Sequence, residues 1–242
     1  MWLDAYPHVS TAALTIQHLV NRLRFDNNLE LEARFGSKEG QGFKAGITRT
    51  EMDNIISVLT TSPHILELSD WRENHDFFFD ANGNTYRTRV RFDDNKMQMT
   101  AETIRKCTEA SHDFLCVSDV CSDRGRQQVL NAIRVSVKSE APICDVPSAA
   151  NANYVRIKQT KRFVCKRGDG QPVWAFDLSM TWSGQSRTDA ERAQAEQEPC
   201  FEMECEFLHS DAYMQAHDDL YIATSLLLKM HDLVNVPNAK FV

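Results

Sequence analysis

The chain has 242 residues, 42% of them hydrophobic, which is enough for one large domain or two small ones. Its net charge of −7 argues against a broad basic face for nucleic-acid backbone, so a nucleic-acid partner would be gripped by a small part, such as one end. Seven cysteines with no paired CxxC spacing argue against a disulfide framework and a zinc site and favour a reducing compartment.

The first residues, MWLDAYPHVS, lack a basic stretch followed by an apolar run, so no signal peptide is expected. Residues 11–24 carry Ile16, Leu19, Val20 and Leu23 at helical spacing, with Ser10 or Thr11 as N-cap. Next, Leu29, Leu31, Ala33 and Phe35 alternate with Glu30, Glu32 and Arg34, the period-2 pattern of a strand. Residues 51–60 return to helical spacing through Met52, Ile55, Ile56 and Leu59, with Thr50 and Asp53 spaced as a variant capping box.

Further alternating segments follow. Thr88, Val90 and Phe92 interleave with Arg87, Arg89 and Arg91; Ile133, Val135 and Val137 with Arg134, Ser136 and Lys138, and Glu140 continues the polar set. Val155, Ile157 and Phe163 interleave with Arg156, Lys158, Thr160 and Arg162. Phe176, Leu178 and Met180 interleave with Asp177 and Ser179, and Phe201, Met203, Cys205 and Phe207 with Glu202, Glu204 and Glu206. Asn82-Gly83 and Asp169-Gly170 separate neighbouring runs and suit tight hairpins, so the sheet should be antiparallel. Residues 183–200 are polar and unpatterned, which predicts a loop or a loosely held helix. A helix over 211–232 follows, capped by Ser210, with Tyr213, Ala216, Leu220 and Leu227 on one side. Its apolar stretch, Tyr221 to Leu228, is too short to cross a bilayer.

The charges are sorted by strand. Two segments are acidic, at Glu30/Glu32 and Glu202/Glu204/Glu206, and two are basic, at Arg87/Arg89/Arg91 and Arg156/Lys158/Arg162. Solvated outer faces would carry any mixture. Two carboxylates 4 Å apart repel by about 4 kcal/mol at an effective dielectric near 20, so five converging carboxylates call for a cation. Hard oxygen donors suit Mg2+ or Mn2+, and arginine forks and lysine suit phosphate oxygens. The expectation is a mainly β fold: a closed antiparallel β-barrel with charged interior, apolar exterior and helices packed outside. No GxSxG, glycine-rich phosphate loop or HExxH competes with this reading.

These segments resemble the triphosphate tunnel metalloenzymes, in the RNA triphosphatase branch of fungi, protozoa and large DNA viruses. LELEARFG (29–36) resembles the glutamate-x-glutamate first strand, and EMECEF (202–207) the triple-glutamate last strand. VRIKQTKRF (155–163) resembles the Arg-x-Lys-x-Arg strand, AFDLS (175–179) the strand after it, and RVSVKSEAPI (134–143) a strand ending in an inward glutamate. The order along the chain matches, over roughly residues 28 to 208 of a single domain spanning 1–242.

The resemblance implies an eight-stranded tunnel that removes the γ-phosphate from 5′-triphosphate RNA, the first step of mRNA capping, with NTPase activity in manganese. It implies Glu30, Glu32 and Glu206 as metal ligands, with Glu204 and Glu202 supporting them. Glu140 would orient the attacking water, and Glu204, Arg156, Lys158 and Asp177 would complete the catalytic set. Arg87, Arg89, Lys106, Arg156, Lys158 and Arg162 would bind substrate phosphates. Thr160 stands where the family has arginine, with Arg162 or Lys161 as substitutes. Also implied are a nuclear location (cytoplasm or virion for a viral protein), an RNA guanylyltransferase as possible partner, no membrane, and a monomer or homodimer. The alternatives are a tripolyphosphatase or thiamine-triphosphatase of the same fold, and a non-catalytic barrel that binds a phosphorylated ligand.

Overall fold

The computed structural model describes residues 7–40, 42–81, 84–92, 98–121, 127–143, 152–167, 170–234 and 239–241. In chain order its elements are α1 (Pro7–Leu23), β1 (Leu29–Glu39), β2 (Gly42–Ala45), α2 (Arg49–Thr61), β3 (Ile65–Leu68), β4 (Arg72–Ala81) and β5 (Asn84–Phe92). There follow β6 (Gln98–Cys121), β7 (Gln127–Pro142), β8 (Tyr154–Lys166), β9 (Pro172–Gly184), α3 (Arg187–Glu196), β10 (Cys200–Phe207), α4 (Asp211–Ala216), α5 (Asp219–Val234) and β11 (Ala239–Phe241).

Eight strands close into a ring in the order β1-β7-β6-β5-β4-β8-β9-β10, with β10 returning to β1, and every pairing is antiparallel. Closure leaves these strands no open edge. Strands β2, β3 and β11 extend the sheet from β1, β8 and β6.

Alternation sends the apolar residues outward. Leu31, Ala33 and Phe35 on β1, Ile133, Val135 and Val137 on β7, and Met203, Cys205 and Phe207 on β10 are all buried beneath the helices. Each large side chain so buried contributes roughly 1.5–3 kcal/mol. Helix α1 offers Ala13, Ile16, Val20 and Leu23, and α5 offers Ile222, Leu226, Leu227 and Met230, to the same core. A smaller cluster, Phe77, Phe79, Val90, Val155 and Ile157, packs under Ala190 of α3.

The boundaries differ from expectation at several points. Helix α1 begins at Pro7, so Ser10 and Thr11 lie inside it; proline suits a first helical position because it has no N–H to satisfy. The capping box of α2 uses Thr48 and Glu51, not Thr50 and Asp53: the Thr48 hydroxyl accepts from the Glu51 N–H, and the Glu51 carboxylate accepts from the Thr48 N–H at 2.6 Å. Part of 183–200 is the helix α3, whose N-cap Ser186 accepts from the Asp189 N–H. Ser210 caps α4 as expected, but the C-terminal helix is broken at His217 and Asp218. Arg24 donates to the carbonyls of Met214 and His217 at the break, and Asp218 accepts from the Tyr221 N–H at 2.7 Å to start α5. In consequence Ala216 is exposed, whereas Tyr213 and Leu227 are buried.

The Asn82-Gly83 pair and Asp169 lie outside the described residues. Their flanks pair as hairpins, Ala81 with Asn84 and Lys166 with Pro172, and Gly170 takes φ +83°, which favours glycine. Gly36 serves close approach: a Cβ there would stand 2.2 Å from the Lys44 carbonyl oxygen. Gly36→Ala should therefore splay the β1–β2 hairpin and cost about 1–3 kcal/mol by urea denaturation; an unchanged midpoint would refute this. No described helix is long and apolar enough to cross a membrane, and the described cysteines 107, 116, 165, 200 and 205 are unbridged.

Candidate active site

The barrel interior holds the polar alternates. On the acidic side, β1 and β10 are hydrogen-bonded neighbours, with Glu32 opposite Glu206 and Arg34 opposite Glu204. Glu30 continues the same face of β1 and lies opposite Lys138 of β7. Asp177 of β9 lies between Glu204 and Arg162 in register.

Cations hold these carboxylates. Glu32, almost wholly buried, ion-pairs with Lys138 and, at 3.2 Å, with Arg34. Arg34 reaches Glu204 at 2.8 Å. Arg162 contacts Glu206 at 2.7 Å and Asp177 at 2.9 Å. Burial pushes the Asp177 carboxyl up to about 6, against the opposing pull of Arg162 and Lys158. Burial works against the charge on Arg34, yet Glu204, Glu202 and Glu140 together outweigh it and raise the group.

The basic side is built on β4, β5 and β8. Asp76 of β4 is fully buried, opposite both Arg89 and Arg156. It accepts from Arg89 at 2.7 and 3.0 Å and from Arg156 at 3.2 Å. Burial alone would raise the Asp76 carboxyl; Arg89, then Arg156, hold it well below the usual carboxylate range. Arg87 meets Glu140 at 3.4 Å, and Arg156 approaches Glu202 at 3.8 Å across the interior. Burial lowers Lys158, which is buried among these charges. An anion bound there would offset that desolvation.

The structure thus brings together Glu32, Glu204 and Glu206 through the β1–β10 register, and Arg87, Arg89, Arg156 and Lys158 across from them. Glu30 and Glu202 lie on the same inward faces. Thr160 makes a 3.0 Å hydroxyl contact with Ser179. Arg162 is occupied with Glu206 and Asp177, so in this arrangement it serves the acidic wall. Lys106 lies opposite Glu140 on β6, and its side chain falls outside the described ones. Among the residues that sequence reasoning left out of the site, Asp76, Lys138 and Arg34 matter most. Lys138 and Arg34 were visible as inward alternates. Asp76 sits in HDFFFD, where a lone acid between a histidine and three phenylalanines was the available signal.

The acidic side fits a hard divalent cation in donor chemistry and register. Directly opposite antiparallel positions lie about 4.5–5.5 Å apart, a span over which Glu32 and Glu206 can share one ion. Asp177 Oδ1 is buried with no hydrogen-bond donor among the described residues. As the side chains stand, no described group of three ligating residues converges on one point, and Arg34, Lys138 and Arg162 pair with Glu204, Glu32 and Glu206.

No family model and no curated protein matches the sequence. Solved structures do. The S. pombe Pct1 RNA triphosphatase aligns with a TM-score of 0.60 at 14% identity, over 93% of this chain and 91% of that one. The same yeast protein in complex with the Spt5 CTD gives 0.62 at 13% identity, with the same coverage. The RNA triphosphatase domain of the mimivirus mRNA capping enzyme gives 0.58 at 14%, over 93% and 96% of the two chains. At these identities the likeness is one of fold.

Proposed function

We propose that this chain, a closed barrel with the triphosphate-tunnel fold of RNA triphosphatases, is a divalent-metal-dependent hydrolase that removes the γ-phosphate from 5′-triphosphate RNA. One observation carries the reading: the two acidic strands from opposite ends of the chain are neighbours, Glu32 opposite Glu206, and they face a wall of arginines and lysine inside a closed ring.

In this reading Glu30, Glu32 and Glu206 hold Mg2+ or Mn2+, with Glu204 and Glu202 supporting them. The ion supplies charge neutralisation at the γ-phosphate. Arg156, Lys158, Arg87 and Arg89 bind phosphate oxygens and stabilise the charge that develops as the phosphoryl group transfers. Asp76 fixes the directions of Arg89 and Arg156. Glu140 orients the attacking water, and Arg87 holds that carboxylate in place. A tunnel that admits one chain end also accounts for the acidic net charge, because the working cations are inside.

Removal of the γ-phosphate leaves a diphosphate end, which an RNA guanylyltransferase consumes. This is the first step of capping, and it places the protein with nascent transcripts, in the nucleus or, for a viral protein, in cytoplasm or virion. The test is release of labelled γ-phosphate from triphosphate-ended RNA. Release should require Mg2+ or Mn2+ and vanish in chelator. A purified, folded protein that binds such RNA but releases no phosphate in either metal would overturn the assignment.

A further inference from the structure

Three consecutive phenylalanines on β4 do two different jobs. Phe77 and Phe79 face outward and are buried in the small outer cluster. Phe78, between them, takes the inward face, as alternation requires. Its cross-strand partners are Tyr154 on β8 and Arg87 on β5. The rings of Phe78 and Tyr154 lie 5.6 Å apart at 51°, and the Arg156 guanidinium stands 5.4 Å from the centre of the Phe78 ring.

Tyr154 is the first residue of β8, so the pair marks one end of the tunnel. A ring recruited only for packing would be covered, yet Tyr154 is 42% exposed. The next inward position on β8 is Arg156, roughly 6–7 Å further along the strand. Arg87 and Arg156 each keep a buried Nε with no hydrogen-bond partner among the described residues. The aromatic face at the tunnel mouth therefore lies level with Arg87 and one inward step ahead of Arg156, with both guanidinium Nε donors in reserve. That arrangement matches a nucleotide entering phosphate first, with its base behind the phosphates.

We infer that Phe78 and Tyr154 form a stacking subsite for the first base of a triphosphate-ended RNA, at the tunnel mouth beside Arg87 and Arg156. This rests on the proposed function and narrows it, because inorganic tripolyphosphate has no base to stack. Every base has a π face, so the subsite would be tolerant of sequence. It selects nucleotides over bare polyphosphate, not one base over another.

The test is binding without turnover. A 3′-labelled oligoribonucleotide with a 5′-triphosphate is titrated with protein in chelator, and inorganic tripolyphosphate is used as competitor. Tyr154→Ala and Tyr154→Leu should weaken RNA binding roughly 5- to 100-fold, and the ratio of RNA to tripolyphosphate affinity should fall with it. Tyr154→Phe, which keeps the ring, should restore that ratio. Tyr154→Leu keeps bulk, so it separates lost stacking from a disturbed mouth. An unchanged ratio in both Ala and Leu variants overturns the inference. If RNA binding depends on the ring but no phosphate is released with metal, the hydrolase reading falls and the stacking subsite stands.

Discussion

Phosphate release from triphosphate-ended RNA should fall about 100- to 1,000-fold in Glu206→Ala, with the protein still folded. The two halves of this expectation have separate causes. Glu206 faces Glu32 across the β1–β10 pairing, so its loss removes one side of the proposed metal seat. The fold should survive because the Glu206 side chain is a quarter exposed, and its partner Arg162 keeps Asp177 at 2.9 Å. No buried charge is abandoned. Glu32→Ala would be a poorer probe: that side chain is 2% exposed and balances the buried Lys138, so activity and stability would fall together. The measurement is a manganese titration of phosphate release beside a melting curve. Near-normal turnover in Glu206→Ala would remove Glu206 from the metal set.

Asp76→Ala should be strongly destabilising. The carboxylate is fully buried and holds two arginines that are themselves largely enclosed. Removing it leaves Arg89 and Arg156 without their shared counter-charge, and breaking one side of a buried ion pair costs about 3–5 kcal/mol. For a protein of this size that is a fall in Tm of roughly 6–20 °C. The pH dependence follows from the sign of the shift. Asp76 is depressed in the folded protein, so its stabilisation is complete above the unfolded value, about 3.9. It is lost as pH falls from there through the folded value. Above about pH 5 the gap between wild type and variant should therefore be constant, and it should narrow in acid. A Tm within 2 °C of wild type at pH 7 would refute the assignment. Activity should fall as well, because Arg89 and Arg156 would no longer be held in one direction.

The sequence by itself determined the alternation and its chemistry. Apolar residues at every second position specify strands with one face to be covered, and the polar alternates fixed which charges lie together on each strand. The acidic strands at 29–36 and 202–207, the basic strands at 87–91 and 156–162, and the outer packing helices were readable from that pattern alone. Elements with strong periodicity appeared where expected, whereas the long β6 (Gln98–Cys121) and the short β2, β3 and β11 went unread in the sequence, and the remaining errors gathered at ends. Caps shifted by two residues at α2, and the last helix broke where Arg24, nearly two hundred positions away, satisfies the freed carbonyls.

Only the tertiary structure decided which strands are neighbours and which charges pair. Closure makes β1 and β10 adjacent although some 170 residues separate them, and no local signal carries that register. The same closure gives Arg162 to Glu206 and Asp177, where the sequence suggested a substitute for the arginine missing at Thr160. It also makes Asp76 the counter-charge of two arginines on two different strands. The physical reason is one of range. Periodicity follows from each residue's neighbours along the chain, whereas ion pairs inside a barrel depend on stagger between strands, which is set only when the ring closes.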